Sequence, residues 1–372
     1  MTALQSSRLA SWYRGKRVLV TGHTGFKGSW LTLWLLEMGA EVQGFSLEPP
    51  TEPSLFDDLD LASRMAHETG DVRDAEALIR CLQRFKPEVV FHLAAQPLVR
   101  LSYKEQSATF DTNVMGTVNL LEAARLTESV RQIVVVTSDK CYENREWVHG
   151  YREIDPMGGH DPYSASKGCA ELVVSSWRNS FFREGQARLA SGRAGNVIGG
   201  GDWALDRLVP DCARAVSAGE TIIIRSPLAT RPWQHVLEPL SGYLWLACEM
   251  ERDPVRFAEG WNFGPGDDDV LTVEEVVSRV IGSWGRGRYE VHSDGGPHEA
   301  RLLRLDIGKA RTLLGWRPVY AAGTAIQKTV DWYRTRDESK KMIADFTKTQ
   351  LNEYIECAAD HGLVWATPVT NS

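Results

Sequence analysis

Between Lys16 and Gly39 a short apolar run, Val18-Leu19-Val20, passes into Thr21-Gly22-His23-Thr24-Gly25-Phe26-Lys27-Gly28, then into a helical pattern from Ser29 to Met38 that stops at Gly39. No other stretch restricts the fold as much. Glycines at i, i+3 and i+6 between a buried strand and a helix allow, in turn, a tight bend, close approach of backbone N–H groups to a pyrophosphate, and packing of helix on strand. The helix N-terminus then meets the negative charge. A glycine-rich turn alone is usually a plain loop; the flanking strand and helix make this one the opening of a dinucleotide-binding βαβ unit. Gly22, His23, Thr24, Gly25, Phe26, Lys27 and Gly28 are therefore candidate cofactor contacts.

The alternation continues along the chain. Residues 41–46 read as a second strand ending in Ser46. An acid often ends this strand in NAD sites and binds the adenosine ribose; here the next acid is Glu48, so ribose recognition falls to Ser46 and modest NAD affinity is expected. No arginine follows at once to hold a 2′-phosphate, although Lys27 could approach one. After a Pro- and Asp-rich connection, residues 67–72 form a third strand ending at Asp71 and Val72, with a helix over 74–85. Asp71 reads either as the cap of that helix or as a contact to the adenine edge. A fourth strand, 89–96, runs into Leu93-Ala94-Ala95-Gln96, whose small side chains leave room where ligands of parallel sheets bind. The helix expected over 107–125 carries Asn113, read either as a solvated residue or as one that fixes the catalytic loop. The fifth strand, 133–137, is wholly apolar, implying burial on both faces, and ends in Ser138-Asp139-Lys140. Strand after helix in this order predicts an α/β fold with a doubly wound parallel sheet.

Asp161 as N-cap and Pro162 at the first helical position open the next helix. Tyr163 and Lys167, four apart, share one face of it. An ammonium near a phenol favours phenolate, which would give a base useful near neutral pH. The bare pair is common and usually structural; behind a glycine turn and a strand ending in Thr137-Ser138 it marks a reaction centre.

With 372 residues the chain suits two domains, or one α/β domain with an added lobe. A net charge of −7 with no basic block argues against nucleic acid or an anionic membrane as partner. The six cysteines show no CxxC or Cys/His cluster, which implies reduced thiols, no metal site and a cytoplasmic setting. No basic-then-apolar leader and no apolar run of membrane-spanning length is found.

TGHTGFKG at 21–28, HLAAQ at 92–96, the serine after the fifth strand and YSASK at 163–167 resemble the extended short-chain dehydrogenase/reductase family, over roughly residues 15 to 335. That resemblance implies NAD as cofactor. It also implies that Ser138 hydrogen-bonds the reacting oxygen, Tyr163 exchanges its proton, and Lys167 tunes Tyr163 and holds the nicotinamide ribose. In the stretch RAGNVIGGGDW, Asn196 aligns with a contact to a nucleotide-sugar diphosphate and sugar. Gln96, Gln234 in RPWQHV, and the arginines Arg207, Arg231 and Arg301 complete the expected substrate contacts, since a guanidinium fork matches phosphate oxygens. The implied layout is an NAD-binding Rossmann domain over 1–190, a mainly substrate-binding lobe over 191–340 that crosses back to the first, and a helical tail over 341–372. Family members dimerise through helices that correspond here to 107–125 and 162–178, implying a homodimer or homotetramer.

Sugar 4,6-dehydratases of this family carry an Asp-Glu pair after the serine; this chain has Asp139-Lys140. The acid is kept and the usual base is a lysine. Lys140 reads as a base of lowered pKa, as a charge that stabilises an enolate, or as a lysine pointing to solvent. GHTGFKGSW, TSDKCYEN, RAGNVIGGGDW and RPWQHV together resemble the CDP-glucose 4,6-dehydratase branch. The implied reaction is oxidation of CDP-glucose at carbon 4, loss of water across carbons 5 and 6, and reduction at carbon 6, a step toward deoxysugars of cell-surface polysaccharide such as lipopolysaccharide O-antigen. A nucleotide-sugar 4-epimerase or simple dehydrogenase of the same family is the alternative, needing neither Asp139 nor Lys140 in these roles. A non-catalytic NAD-sensing scaffold is a third reading, opposed by the intact Ser138, Tyr163 and Lys167.

Overall fold

The computed structural model describes residues 2–185, 187–266, 270–292 and 302–369. Seven strands form one sheet: β1 (Arg17–Thr21), β2 (Glu41–Ser46), β3 (Ala66–Thr69), β4 (Val89–His92), β5 (Gln132–Val136), β6 (Arg188–Ala194) and, after short strands that include β7 (Val197–Ile198) and β8 (Gln234–His235), β9 (Gly260–Phe263). Their order is β9-β6-β5-β4-β1-β2-β3 and every pairing is parallel. The order reverses between β1 and β4, and ligands of such sheets bind at that switch point, beyond the strand C-termini.

Both faces of the sheet are covered, and the strands show it residue by residue. Val18, Val20, Val89, Phe91, Val134 and Val136 join the core that holds α1 (Phe26–Glu37). Their neighbours Leu19, Val90, Ile133 and Val135 join a second core, with α2 (Ala75–Phe85), α3 (Gly116–Arg125) and α4 (Pro162–Trp177). Side chains alternate across a strand, so burial on both faces demands the continuous apolar runs seen here.

The boundary expected at residue 190 falls inside β6, and β9 returns to the large sheet from far along the chain. Between and after them lie α5 (Leu208–Ala218), α6 (Leu237–Arg252), α7 (Val273–Trp284) and α8 (Ala322–Glu338). The C-terminal helix α9 (Ile343–Asp360) is packed back on the first core, with Trp34 of α1 edge-on to both Tyr354 and Trp365. Strands over 67–72 and 89–96 were expected; β3 ends at Thr69 and β4 at His92, where the chain leaves the sheet to form the ligand-facing loops. The helix expected over 107–125 is three pieces, the middle one a π-helical segment, Asp111–Met115. Among the described residues, no helix is long and apolar enough to cross a membrane.

Candidate active site

The glycine turn is closed on the side of the sheet and open on the other. At Gly22 φ is +74°, and a Cβ there would lie 2.6–2.8 Å from the backbone of Leu93 and Ala94. One on Gly28 would meet the Gly22 carbonyl oxygen at 2.1 Å. One on Gly25 would find only that same oxygen, at 3.5 Å. Gly25 is also the N-cap of α1 and supplies no side-chain cap, leaving the first-turn N–H groups facing the open side.

Side chains of the turn divide sharply. Thr24 Oγ1 hydrogen-bonds Ser46 Oγ (2.9 Å) and donates to the Leu47 carbonyl (2.9 Å), tying the turn to the end of β2. His23 is fully buried, pointing away from the open face, with Nε2 2.7 Å from His67 Nδ1 and its ring edge-on to Phe56. A Cβ on Gly44 of β2 would come within 2.4 Å of that ring, so a glycine there makes its room. As a cofactor contact His23 can offer backbone only. Burial, then the charge of His67, drives its pKa down to about 3. Phe26 packs on the first core. Lys27 senses Arg207, Asp139, Lys167 and Asp202, so its ammonium belongs with the reaction centre rather than with an adenosine 2′-phosphate. Burial first, and then those cations, lower its pKa to about 8.

Asp71 is not the cap of α2: Asp74 Oδ1 accepts from Ala77 N at 3.0 Å, while Asp71 holds Arg73 through a two-pronged ion pair. The Val72 side chain is buried under Gly116 at the start of α3. Leu93 N donates to the Thr21 carbonyl (3.1 Å) and Ala94 N to Thr21 Oγ1 (3.3 Å), which seats residues 93–95 against the glycine turn.

Beyond β5 the chain makes a 3₁₀ turn, Asp139–Cys141, capped by Ser138. Ser138 Oγ donates to Asp139 Oδ1 at 3.0 Å, and a Cβ on Gly195 would fall 2.8 Å from Asp139 Oδ2, so glycine leaves space for the carboxyl. Burial raises the pKa of Asp139 in spite of Lys140, Ser138, Arg231 and Lys27, which all oppose the rise. Lys140 is half-buried beside it. Opposite stands α4, capped by Asp161 as its sequence requires, with Tyr163 and Lys167 both buried.

Lys167 and Tyr163 share one face of α4, and burial acts on both. The Lys167 ammonium lies 6.0 Å from the centre of the Tyr163 ring. Burial dominates and pushes the phenol up to about 12, with Ser138 and Arg207 pulling the other way. Burial likewise lowers the Lys167 ammonium to about 8, partly offset by Cys141 and Glu171.

Asn113 takes the loop-fixing role. In the π-helical segment it accepts from Gln96 N (2.8 Å) and donates to Gln96 O (3.1 Å) and to Ser166 Oγ of α4 (2.9 Å). The side chain of Gln96 is used within its own loop, donating to Leu98 O and Thr109 Oγ1 and accepting from Leu98 N, which leaves it a loop organiser rather than a free substrate contact. Gln234 is likewise buried and donates to the Phe263 carbonyl at 3.1 Å. Neither change of role shows in sequence, because an amide's partner is set by the tertiary fold. The Asn196 carbonyl accepts from Gln234 N, and its side chain is half-buried. Arg207 is a half-buried cation, paired with buried Asp202 at 2.8 Å and close enough to Tyr163 and Lys27 to shift both. Arg231 lies near enough to Asp139 to favour its charged form. Arg301 lies outside the described residues.

The residues present fit a dinucleotide. Glycines seal one side of the turn and leave α1's N-terminus open to a pyrophosphate, and Ser46 stands at the β2 end. Lys167 is a buried ammonium at the other end of the groove. Sequence reasoning passed over Asp202, which holds Arg207, and the buried pair Glu171–Arg193 behind α4 (2.8 Å). Glu171 had a signal: it follows Lys167 by four, on the face that carries Tyr163.

Comparison with known proteins agrees with this geometry. The family model described as GDP-mannose 4,6 dehydratase matches residues 19–329. A CDP-glucose 4,6-dehydratase of Salmonella typhimurium (strain LT2) is 51% identical over 351 residues, covering 93% of this chain and 98% of the relative. A UDP-glucose 4-epimerase of Mycolicibacterium smegmatis is 28% identical, covering 87% of this chain and 100% of the relative. Among solved structures, the dTDP-glucose 4,6-dehydratase DesIV of Streptomyces venezuelae, crystallised with NAD, superposes with a TM-score of 0.74 at 26% identity, covering 87% of this chain and 98% of that one.

Proposed function

The chain belongs to the GDP-mannose 4,6-dehydratase family of extended short-chain dehydrogenases/reductases, and from that premise we propose that it converts CDP-glucose to CDP-4-dehydro-6-deoxyglucose with NAD as an internally recycled cofactor. It is a hydro-lyase. The observation that carries the reading is the turn after β5: a carboxyl that burial keeps protonatable, bonded to Ser138 at 3.0 Å and beside Tyr163, supplies the acid that an epimerase does not need. The 51% identity to a CDP-glucose 4,6-dehydratase supports the nucleotide and sugar.

When bound, NAD supplies the hydride acceptor at carbon 4 and the donor at carbon 6. The chain's residues do the proton work. Ser138 orients the carbon-4 oxygen and Tyr163 takes its proton. In the protein alone burial pushes that phenol up to about 12. Lys167 holds the ribose hydroxyls beside it. Once carbon 4 is a ketone, the carbon-5 proton is acidified. Asp139 then protonates the departing carbon-6 oxygen, a role suited to an acid whose pKa is raised. Lys140 either accepts the carbon-5 proton or stabilises the enolate. Either role predicts slower solvent-deuterium exchange at carbon 5 in a Lys140→Met variant, and rescue of that exchange by an added primary amine, whose efficiency rises with amine basicity, marks the base. Lys27, Arg207 and Arg231 surround the place expected for the substrate diphosphate, with Arg301 as a further contact.

The domain layout above and a homodimer or homotetramer belong to this reading. Exposed Met115 and Leu126 flank α3, and exposed Leu172 and Phe181 lie on and just beyond α4, which supports pairing through these helices in a cytoplasmic enzyme. Sedimentation of the pure protein tests the assembly. The activity is tested by incubation with NAD and CDP-, UDP-, dTDP- or GDP-glucose, followed by product mass. Loss of one water from CDP-glucose with no net NADH is expected. Unchanged mass with altered stereochemistry would replace the reading with an epimerase.

A further inference from the structure

Four groups of the proposed reaction, Ser138, Asp139, Tyr163 and Lys167, sit on one turn and one helix that are not neighbours in sequence, so something must fix their mutual position. We propose that Arg193 is a positioning residue: held by Glu171 of α4 and holding Tyr142, it sets the register between the helix that carries Tyr163 and Lys167 and the turn that carries Ser138 and Asp139. This inference rests on the function proposed above.

The geometry is a three-way clamp in the interior. Arg193 of β6 donates from Nη2 to Glu171 Oε2 at 2.8 Å and from Nη1 to Tyr142 Oη at 2.6 Å and the Glu153 carbonyl at 3.2 Å. Its guanidinium also lies over the Tyr142 ring, 5.2 Å from the centroid. Glu171 is filled by Thr137 Oγ1, at the end of β5, and by Ser191 Oγ, so its carboxylate ties α4 to both strands beside the site. Tyr142, immediately after the catalytic turn, donates in turn to Asn262 Oδ1 of β9 (2.8 Å), and Asn262 reaches the carbonyls of Tyr151 and Asp306. All four side chains are at most 5% exposed. The fold makes room for the clamp: a Cβ on Gly260 would lie 2.5 Å from Arg193 Nη2.

Stability alone does not explain such a cluster. Two buried charges are costly to desolvate, and apolar replacements of similar volume are often neutral or better. What an apolar core would not supply is direction. A guanidinium presents donors at fixed angles, so one group can specify where a helix, a strand and a turn lie relative to each other. The proton donors and acceptors of this reaction must hold their places closely, since a displacement of about 1 Å can cost on the order of 100-fold in rate.

Tyr142→Phe removes one arm and keeps the ion pair; Arg193→Lys keeps the charge and loses the fork; Arg193→Met loses both. With CDP-glucose and NAD, kcat is expected to fall about tenfold in Tyr142→Phe and about 100-fold in Arg193→Lys, while KM stays within about threefold of wild type. Arg193→Lys should retain more activity than Arg193→Met. In single turnovers the reduced cofactor should accumulate, because oxidation by the Tyr163 helix outruns an elimination whose acid is out of place. Should Arg193→Met fail to fold, Tyr142→Phe decides. Wild-type kcat in folded Tyr142→Phe and Arg193→Lys, or losses of kcat and KM that merely follow a fall in melting temperature, would overturn the proposal. A wild-type protein inert toward CDP-glucose would instead remove the functional reading and this inference with it, whereas an active wild type with unaltered variants removes the inference alone.

Discussion

At the β2 end of the cofactor groove the polar side chains pair with one another, Thr24 with Ser46 and His23 Nε2 with His67 Nδ1. At the β5–α4 end they are charged and crowded: Lys27 is shifted by Arg207, Asp139 and Lys167, and Asp139 in turn by Lys27, while burial dominates the shifts of Asp139 and Lys167. The first region offers shape and backbone donors. The second holds groups whose pKa values are displaced by burial, which is costly in an empty protein and useful in a reaction. Binding and chemistry are thus kept at separate ends, and substitutions should tell the two apart.

The largest effect is expected at the charged end. Tyr163→Phe should lower turnover on the order of 1,000-fold, with NAD affinity little changed, because only the phenol proton is lost. Asp139→Asn should lower product formation about 100-fold while oxidation at carbon 4 persists, read as bound reduced cofactor with no loss of water. Equal loss of oxidation in both would mean that the acid and the base are not separate groups.

Lys167→Met turns the comparison into a stability measurement. The ammonium titrates near 8 when folded against an ordinary 10.5, so the folded state binds it less readily. The sign follows: stability from this group is full above 10.5 and is lost as pH falls through that value toward 8, leaving a standing cost at neutral pH. The difference is on the order of 3 kcal/mol. Lys167→Met should therefore abolish activity and raise the melting temperature at pH 7, but give little gain at pH 11 or so, where the lysine is already neutral. No gain at neutral pH would show that Lys167 is not a strained residue.

This division explains what could be read from sequence. The glycine turn, the apolar runs of β1, β4 and β5, and the Asp161-capped helix are local patterns, so their places follow from spacing and propensity alone. Ser138 beside Asp139 and Tyr163 four before Lys167 were legible for the same reason. Partners across the fold were not. Gln96 and Gln234 have the chemistry of substrate contacts, yet each finds a nearer backbone carbonyl once the chain is packed. His23 looks exposed in a glycine turn, and only Gly44, on another strand, reveals the slot that buries it. Burial of the Tyr163 phenol was not legible either, because helical spacing reports direction, whereas burial is set by the whole fold.

Acid should act on the groups buried neutral. His23, His92 and His235 each titrate near 3 when folded, against an ordinary 6.5, chiefly through burial. Their contribution is complete above 6.5 and is lost as pH falls from 6.5 toward 3, by up to about 1.4 kcal/mol per pH unit for each. Asp139, raised by burial, works in the opposite direction over the acid range. Melting temperature followed against pH should fall steadily below 6.5, and His23→Asn should flatten that fall. A flat profile in the wild type would mean that these imidazoles are hydrated.

The smallest effect should separate binding from folding within a single turn. Gly28 and Gly25 look alike in the sequence, but a methyl group at Gly28 would strike the Gly22 carbonyl oxygen at 2.1 Å, whereas one at Gly25 would touch protein only at 3.5 Å. Gly25 has ordinary extended backbone angles, φ −79° and ψ 168°, which alanine adopts without strain. Gly25→Ala should thus fold and melt as the wild type does, since nothing in the chain resists it. Its methyl projects on the open side, where the first N–H groups of α1 await an anion. NAD should bind roughly tenfold more weakly, about 1.4 kcal/mol, with kcat at saturating NAD unchanged because the charged end is untouched. Unaltered NAD affinity would place the pyrophosphate elsewhere, and a lowered kcat would mean that the two ends are coupled after all.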